Sequence, residues 1–238
     1  MNSAALLDRV EVKYLLPLSA LDEVLQRLRP DYAALTITEQ QLNHYRTLYF
    51  DTPDLAMYRR HHMGARNRYK VRSRQYVESC VSFFEVKHKI NKRHTVKTRL
   101  PTSELVTGMN RGTLAFLVDK CPYNAIELVP ALWNTYTRIT LVSKGHCERV
   151  TLDLNLAFAW QGQKAGLASV VVAEVKRDGS THDSDFITLM RQMGIRKRGF
   201  SKYCVGVSLL YPGVKRNRFR AAQRLIERLG RGEPYATD

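Results

Sequence analysis

The chain has 238 residues, with 38 Lys and Arg against 22 Asp and Glu, a formal net charge of +16. With 44% hydrophobic residues it can bury the core of one large domain, and so large a positive excess calls for a polyanionic partner such as phosphates, nucleic acid or an anionic membrane surface. The scattered cysteines Cys80, Cys121, Cys147 and Cys204 form no Cys-x-x-Cys pair, which argues against a thiolate zinc site or a compact disulfide framework, and no window is apolar enough to span a bilayer. Met1 to Asp8 lacks the features of a signal peptide, so free thiols in a reducing cytoplasm are expected.

Arg9 to Leu15 alternates strictly, with Arg9, Glu11 and Lys13 on one face and Val10, Val12 and Tyr14 on the other, which predicts a strand. Pro17 ends it, and Ser19 caps a predicted amphipathic helix through Leu21, Val24, Leu25 and Leu28. The aromatic run His44 to Phe50 reads as a second strand; Asp51-Thr52-Pro53 then starts a short helix to about His62, with Thr52 as cap. After Gly64 comes the stretch around which the rest of the chain is read, Asn67 to Arg74. In a strand its Arg68, Lys70, Arg72 and Arg74 share one face, opposite Tyr69, Val71 and Ser73. Alone, such a strand could be a solvated edge made basic against aggregation.

The pattern recurs. Ser82 to His88 places Glu85 and Lys87 on one face, and Thr95 to Leu100 does the same with Lys97 and Arg99, joined by the basic turn Lys89 to His94. Thr102 to Lys120 looks mainly helical, an excursion over the sheet. Leu132 to Val142, carrying Arg138, pairs as a hairpin with Arg149 to Leu154, where Arg149, Thr151 and Asp153 share a face. Val170 to Lys176 is an apolar strand that ends with Glu174 and Lys176 on one face; Ser184 to Met193 is a helix stopped by Gly194. From Ser201-Lys202-Tyr203 onward the apolar residues do not decide between helix and strand, and Lys215 to Leu229 is a basic amphipathic helix. No composition break divides the chain before that tail, so the expected organisation is one domain over residues 1–214 followed by a basic helix and tail over 215–238.

Cations heavily outnumber acids on these polar faces, whereas solvent faces normally mix both signs. A sheet closed into a barrel with its polar face inward would gather them in one low-dielectric cavity suited to a chain of phosphates, which accepts from Arg forks and Lys point charges along its length. Among the acids, Glu11 and Glu85 read as ion-paired, while Glu174, and after it Asp153, are candidates to hold Mg²⁺ or Mn²⁺ together with substrate phosphates. The seven histidines show no metal-ligand spacing, and His61 with His62 suits a helix end.

Lys13-Tyr14, Leu48 to Asp54, Lys70 to Arg74, Glu85-Val86-Lys87, Arg149 to Asp153, Glu174-Val175-Lys176 and Ser201-Lys202-Tyr203, in this order and spacing, resemble the VTC domain. That is the polyphosphate polymerase domain of the vacuolar transporter chaperone complex and its bacterial relatives, within the triphosphate tunnel metalloenzyme superfamily. The resemblance implies an α+β fold, an eight-stranded antiparallel β-barrel forming a tunnel with flanking helices, and Mn²⁺- or Mg²⁺-dependent transfer of the ATP γ-phosphate onto polyphosphate. It implies phosphate binding and catalysis by Lys13, Arg72, Arg74, Lys87, Arg138 and Lys202, with Arg46, Arg68, Lys70, Lys97, Arg99, Arg149 and Lys176 as further lining. Glu174 would hold the metal.

The triphosphatase and adenylate cyclase branch of that superfamily is marked by Glu-x-Glu-x-Lys in the first strand, and here the first position is Arg9. Loss of that carboxylate favours the polymerase branch over the alternative, a tripolyphosphatase or nucleoside triphosphatase. Eukaryotic members of the family add a sensing domain and a membrane region, and beside them this chain reads as a stand-alone catalytic module, expected in the cytoplasm, whose basic C-terminal helix either docks on an anionic membrane surface or a membrane-protein partner, or packs on the barrel's exterior or plugs one mouth. A non-catalytic polyphosphate- or nucleic-acid-binding protein is the remaining reading, and the placement of Tyr69 and Phe84 opposite the cations argues against nucleic acid as the partner.

Overall fold

A computed structural model describes residues 10–91, 94–178 and 184–233. Arg9, Lys92, Arg93 and His182 lie outside the described residues, so the subfamily argument from Arg9 has no structural counterpart here. In chain order the elements begin with β1 (Val10–Pro17), α1 (Leu21–Leu28), β2 (Tyr32–Ala34), β3 (Asn43–Asp51), α2 (Ala56–His62), β4 (Arg68–Tyr76) and β5 (Val81–Lys89). They continue through β6 (Thr95–Thr102), α3 (Arg111–Leu117), β7 (Val129–Ser143), β8 (Glu148–Trp160), β9 (Gln163–Leu167) and β10 (Val170–Arg177). The helices α4 (Asp185–Gln192), α5 (Lys202–Leu210) and α6 (Arg220–Gly230) complete the chain. Among the described residues no helix is long and apolar enough to cross a membrane.

All strand pairs are antiparallel, along the path β1-β10-β8-β7-β3-β4-β5-β6, with β2 added to β7 and β9 to β8. The eight-strand path and the α+β class are those expected. The sheet curls without closing, because its end strands β1 and β6 share no ladder among the described residues. Side chains still meet across the gap, where Lys87 Nζ of β5 lies 3.6 Å from the Glu11 carboxylate of β1.

The outer face of the sheet is apolar and covered. Tyr14, Leu16, Val150, Leu152, Val171 and Val175 pack under α1 and α4, while Leu48, Phe50, Val71, Phe84 and Val86 pack with Met57 of α2 and Leu117 of α3. The inner face changes character along each strand. β10 passes from Val170 and Val172 to Glu174 and Lys176, and β1 from Leu15 to Lys13 and Glu11. On β8 the change coincides with a bulge, where the register with β7 shifts between Thr135 and Thr137 and Asn155 adopts φ 51°. Arg149, Thr151 and Asp153 precede it, and the buried Leu156 and Phe158 of the core around α5 follow.

The apolar half of the interior is filled by α5, which settles the helix-or-strand question left open by its sequence. Ser201 caps it by accepting from Cys204 N at 3.3 Å, and Tyr203, Cys204, Val205 and Val207 are fully buried. Gly206 is required for this docking, since a Cβ there would stand 2.5 Å from Leu132 Cδ2 and 2.6 Å from Phe158 Cδ1. Ala222, Leu225 and Leu229 of α6 join the same core.

Several local expectations change. Ser19 does not cap α1 but sits in a short 3-10 turn before it, and Ala20 precedes the helix with no side-chain cap; the basic C-terminal helix begins at Arg220 and not at Lys215. α2 starts at Ala56 and not at Pro53, because the Asp51 carboxylate accepts from the backbone N–H groups of Thr52, Met57 and Tyr58 while Thr52 Oγ1 accepts from Ala56 N. Leu55 turns the chain at φ 58° to allow this. The helical excursion after residue 102 contracts to α3, which starts where Asn110 and Thr113 form a reciprocal cap.

Candidate active site

The charged half of the interior encloses a cavity of about 530 Å³. β4 contributes Lys70, Arg72 and Arg74, since Tyr69, Val71 and Ser73 are committed to the outer core. Lys87 enters from β5, Lys97 and Arg99 from β6, and Lys13 from β1. The opposite wall carries Arg138 of β7, Arg149 of β8, and Glu174 with Lys176 of β10; Lys202, the first residue of α5, rises from the floor. The structure thus brings all but two of the expected cations together.

The exceptions are Arg46 and Arg68. Tyr45 and Tyr49 face the cavity from β3, so Arg46 projects from the outer face, where its guanidinium carbon lies 5.8 Å from the centre of the Trp133 ring. Arg68, at the start of β4, is not part of the cavity wall; burial and the neighbouring Arg218 lower its pKa. Asp153 is also absent from the wall. It lies buried behind it, bound by Arg138 Nε at 2.6 Å and Nη2 at 2.8 Å and by Lys202 Nζ.

Each acid organises cations. Glu85, 1% exposed, takes Arg72 Nε at 2.6 Å, Lys97 Nζ at 2.6 Å and Arg99 Nε at 3.1 Å. Lys13 spans Glu11 at 2.5 Å and Glu174 at 3.1 Å, and Lys176 reaches Glu174 at 2.5 Å. Burial alone would raise these carboxyl pKa values. Instead Arg72, Arg74 and Lys97 hold Glu85 at about 2, Lys202 and Arg138 hold Asp153 at about 2, Lys13 and Lys87 hold Glu11 at about 2, and Lys13 with Lys176 holds Glu174 well below its ordinary value. All four are carboxylates at neutral pH.

Too few acids remain to neutralise the rest. Arg74 donates to Thr47 Oγ1, at 3.2 Å, and lies over the rings of Tyr45 and Tyr136, which stack 4.9 Å apart; Lys70 donates to Ser201 Oγ at 2.9 Å. Among the described residues none of Arg74, Lys70 and Arg149 forms an ion pair with a carboxylate, although the Arg74 charge is near enough to act on Glu85. The strain shows in the lysines. Burial and the Lys13 and Lys70 charges lower Lys87 to about 8, partly offset by Glu11, and burial with Arg72 lowers Lys97 to about 7. Such a cavity binds a multiply charged anion by replacing repulsion with charge-assisted hydrogen bonds.

Sequence reasoning missed the aromatic contributors Tyr45, Tyr49, Tyr76, Phe83 and Phe200, which also line the cavity, and so the expectation that aromatic residues stand only opposite the cations does not hold. The signal was available: Tyr76 is in step with Arg74 on β4, and Phe83 with Glu85 and Lys87 on β5.

A curled antiparallel sheet with flanking helices around a basic interior defines a triphosphate tunnel fold. Among the solved structures similar to this chain are two with a matching fold. One is an adenylate cyclase-like protein from Bacillus halodurans, with 13% identity, a TM-score of 0.52, and 82% of this chain and 95% of that chain covered. The other, an adenylyl cyclase-like protein from Hippeastrum described as having a dominant triphosphatase activity, aligns with 17% identity and a TM-score of 0.54 over 86% of this chain and 98% of that one. Comparison with curated proteins gives no match. Within the tunnel fold this chain belongs to the VTC domain family, which it matches over residues 8–211.

Proposed function

We propose that the chain is an ATP-dependent polyphosphate polymerase, transferring the γ-phosphate of ATP to the end of a polyphosphate chain held in the cavity. The supporting observation is the continuous inner surface of cations, several with no carboxylate of their own, in a chain of the VTC domain family. Arg72 and Arg138 are fixed as hydrogen-bonding forks by Glu85 and Asp153 and present their remaining N–H groups to phosphate oxygens. Lys13, Lys70, Lys87 and Lys202 act as point charges, and Arg74 is held on the Tyr45–Tyr136 stack. In the transfer, a terminal phosphate oxygen bonds to the γ-phosphorus as the bond from phosphorus to the β,γ-bridging oxygen breaks, and ADP leaves with that electron pair. The protein supplies position and compensating charge without a side-chain nucleophile.

The family implies a divalent metal. Among the described residues no group of three or more His, Cys, Asp or Glu converges. Glu174, with Glu11 linked to it through Lys13, offers hard carboxylate oxygens at the cavity, which suits Mg²⁺ or Mn²⁺ completing its shell with phosphate oxygens and water. Asp153 does not fit, because it lies 1% exposed behind the wall with Arg138 and Lys202 on its oxygens, whereas Glu174, although paired with Lys13 and Lys176, opens onto the cavity. When bound at Glu174, the ion would neutralise charge developing on the phosphate oxygens.

A ³¹P NMR time course with ATP and Mn²⁺ tests the proposal. A growing internal polyphosphate resonance alongside ADP is expected, and Arg72→Ala and Glu174→Ala should each abolish it while keeping the folded circular dichroism spectrum. Orthophosphate without polymer would place the chain with triphosphatases, and retained synthesis in both variants would sink the site assignment.

A further inference from the structure

The cavity wall is not uniform. Along the inner face of the β4–β5 ribbon, the paired positions run from Tyr76 and Val81 through Arg74 and Phe83 to Arg72 and Glu85, then to Lys70 and Lys87. On this ribbon the end at the β4–β5 turn is aromatic and aliphatic and the other is ionic, while Tyr49 of β3, paired opposite Arg72, and Phe200 also line the cavity. Leu35 and Ile37, on the loop after β2, line the same cavity and add apolar surface. Leu35 is 40% and Val81 42% exposed, and the rings of Tyr76 and Phe83 are only partly buried. The two rings meet edge to face at 6.0 Å, and Arg99 sits 5.3 Å from the Phe83 ring centre while also paired to Glu85.

A chain of bare phosphates has no use for this apolar end. A nucleotide does, since it joins a flat π-surface to a polyanion, and a pocket that grades from aromatic to cationic over one ribbon matches both parts in order. From this grading we infer that Tyr76, Phe83, Val81, Leu35 and Ile37 form a nucleobase subsite, which orients a nucleoside triphosphate with its base at the β4–β5 turn and its phosphates toward Arg74, Arg72 and Lys70. The inference rests on the reading of the cavity as a phosphate site and adds which mouth receives the nucleoside. Stacking on Phe83 and Tyr76 tolerates different bases, because every base has a π-face, and so the subsite selects nucleotides over inorganic phosphates without strict choice among bases.

Binding of ATP and of inorganic tripolyphosphate, measured by calorimetry in EDTA to prevent turnover, separates the two parts of the claim. The unmodified chain should bind ATP more tightly than the charge on its phosphates alone provides, and Phe83→Ala should weaken ATP by about tenfold, the typical cost of losing one stacking ring. Tripolyphosphate affinity should be unchanged in the same variant, which also certifies that it folds, and Phe83→Trp should restore ATP binding. Equal weakening of both ligands, or none for ATP, would overturn the nucleobase subsite and leave the phosphate site standing. Failure of tripolyphosphate to bind the unmodified chain would instead overturn the reading of the cavity on which the subsite depends.

Discussion

Lys87 and Lys97 tie the cavity to pH. An unconstrained lysine titrates near 10.5, but these two are lowered to about 8 and about 7 by burial and surrounding cations. Between roughly pH 7 and 10.5 the unfolded chain therefore binds more protons than the folded one, and the anion-free protein should gain stability as pH rises across that window. Lys13, raised by Glu174 and Glu11 despite its burial, acts in the opposite sense, but only above pH 10.5. Thermal denaturation from pH 7 to 9.5 checks the sign. Long polyphosphate should reverse the trend, because anion binding favours the charged lysines; its affinity should fall as pH passes 7 to 8, with proton uptake visible as a dependence of the binding heat on buffer. Internal phosphates keep a constant charge over this range, so the change belongs to the protein. Alternation in the sequence was enough to find Lys87 and Lys97, because Phe84 and Val86 mark the opposite face of β5. It gave no check on Arg46, which the resemblance had placed in the lining, since β3 is aromatic on both faces and offered no contrast by which to assign one. Nor could it show that Asp153 is consumed by Arg138 and Lys202, which depends on cross-strand register and on a helix 49 residues further along the chain.

At the level of elements, α5 both fills the apolar half of the interior and delivers Lys202 to the cavity floor. Its sequence was ambiguous because a helix buried on all sides shows no amphipathic period, and Tyr203 to Ser208 are all buried. Gly206→Ala should force α5 away from Leu132 and Phe158, which are themselves buried at 0% and 1% exposure, at a cost of about 1–3 kcal/mol. The displacement also shifts Lys202 relative to Asp153. A lower melting temperature with a matched loss of tripolyphosphate affinity is the expected result, and unchanged values for both would show that the contact yields freely. The strands β1, β4, β5, β6 and β8 were legible from an alternating charged face, and β10 from an apolar run that ends with Glu174 and Lys176 on one face. β2 and β9 were not, being short additions at the sides of the path whose pairing is decided by the strands beside them. The bulge at Asn155 was equally hidden, although it lets one strand place Asp153 on the charged half and Leu156 on the apolar half of the same interior.

Across the whole molecule, the net charge of +16 and the concentration of cations inside the curl make approach of an anion a long-range electrostatic event. Stopped-flow association of polyphosphate should slow steeply as salt rises from 20 to 200 mM, approximate experimental settings that shorten the Debye length from about 20 to about 7 Å. Dissociation should change far less, because the contacts made inside are partly shielded from solvent; a flat association rate would place the attraction at short range only. The open seam between β1 and β6 has a mechanical meaning as well. A closed barrel has a girth fixed by its strand number and stagger, whereas this sheet is a split ring clasped by the partly exposed Lys87–Glu11 pair. Loosening such a clasp costs on the order of 0–1 kcal/mol and breaks no backbone ladder. Among the described residues no backbone ladder crosses this seam, so the bore can widen and tighten with side chains alone holding its two lips together.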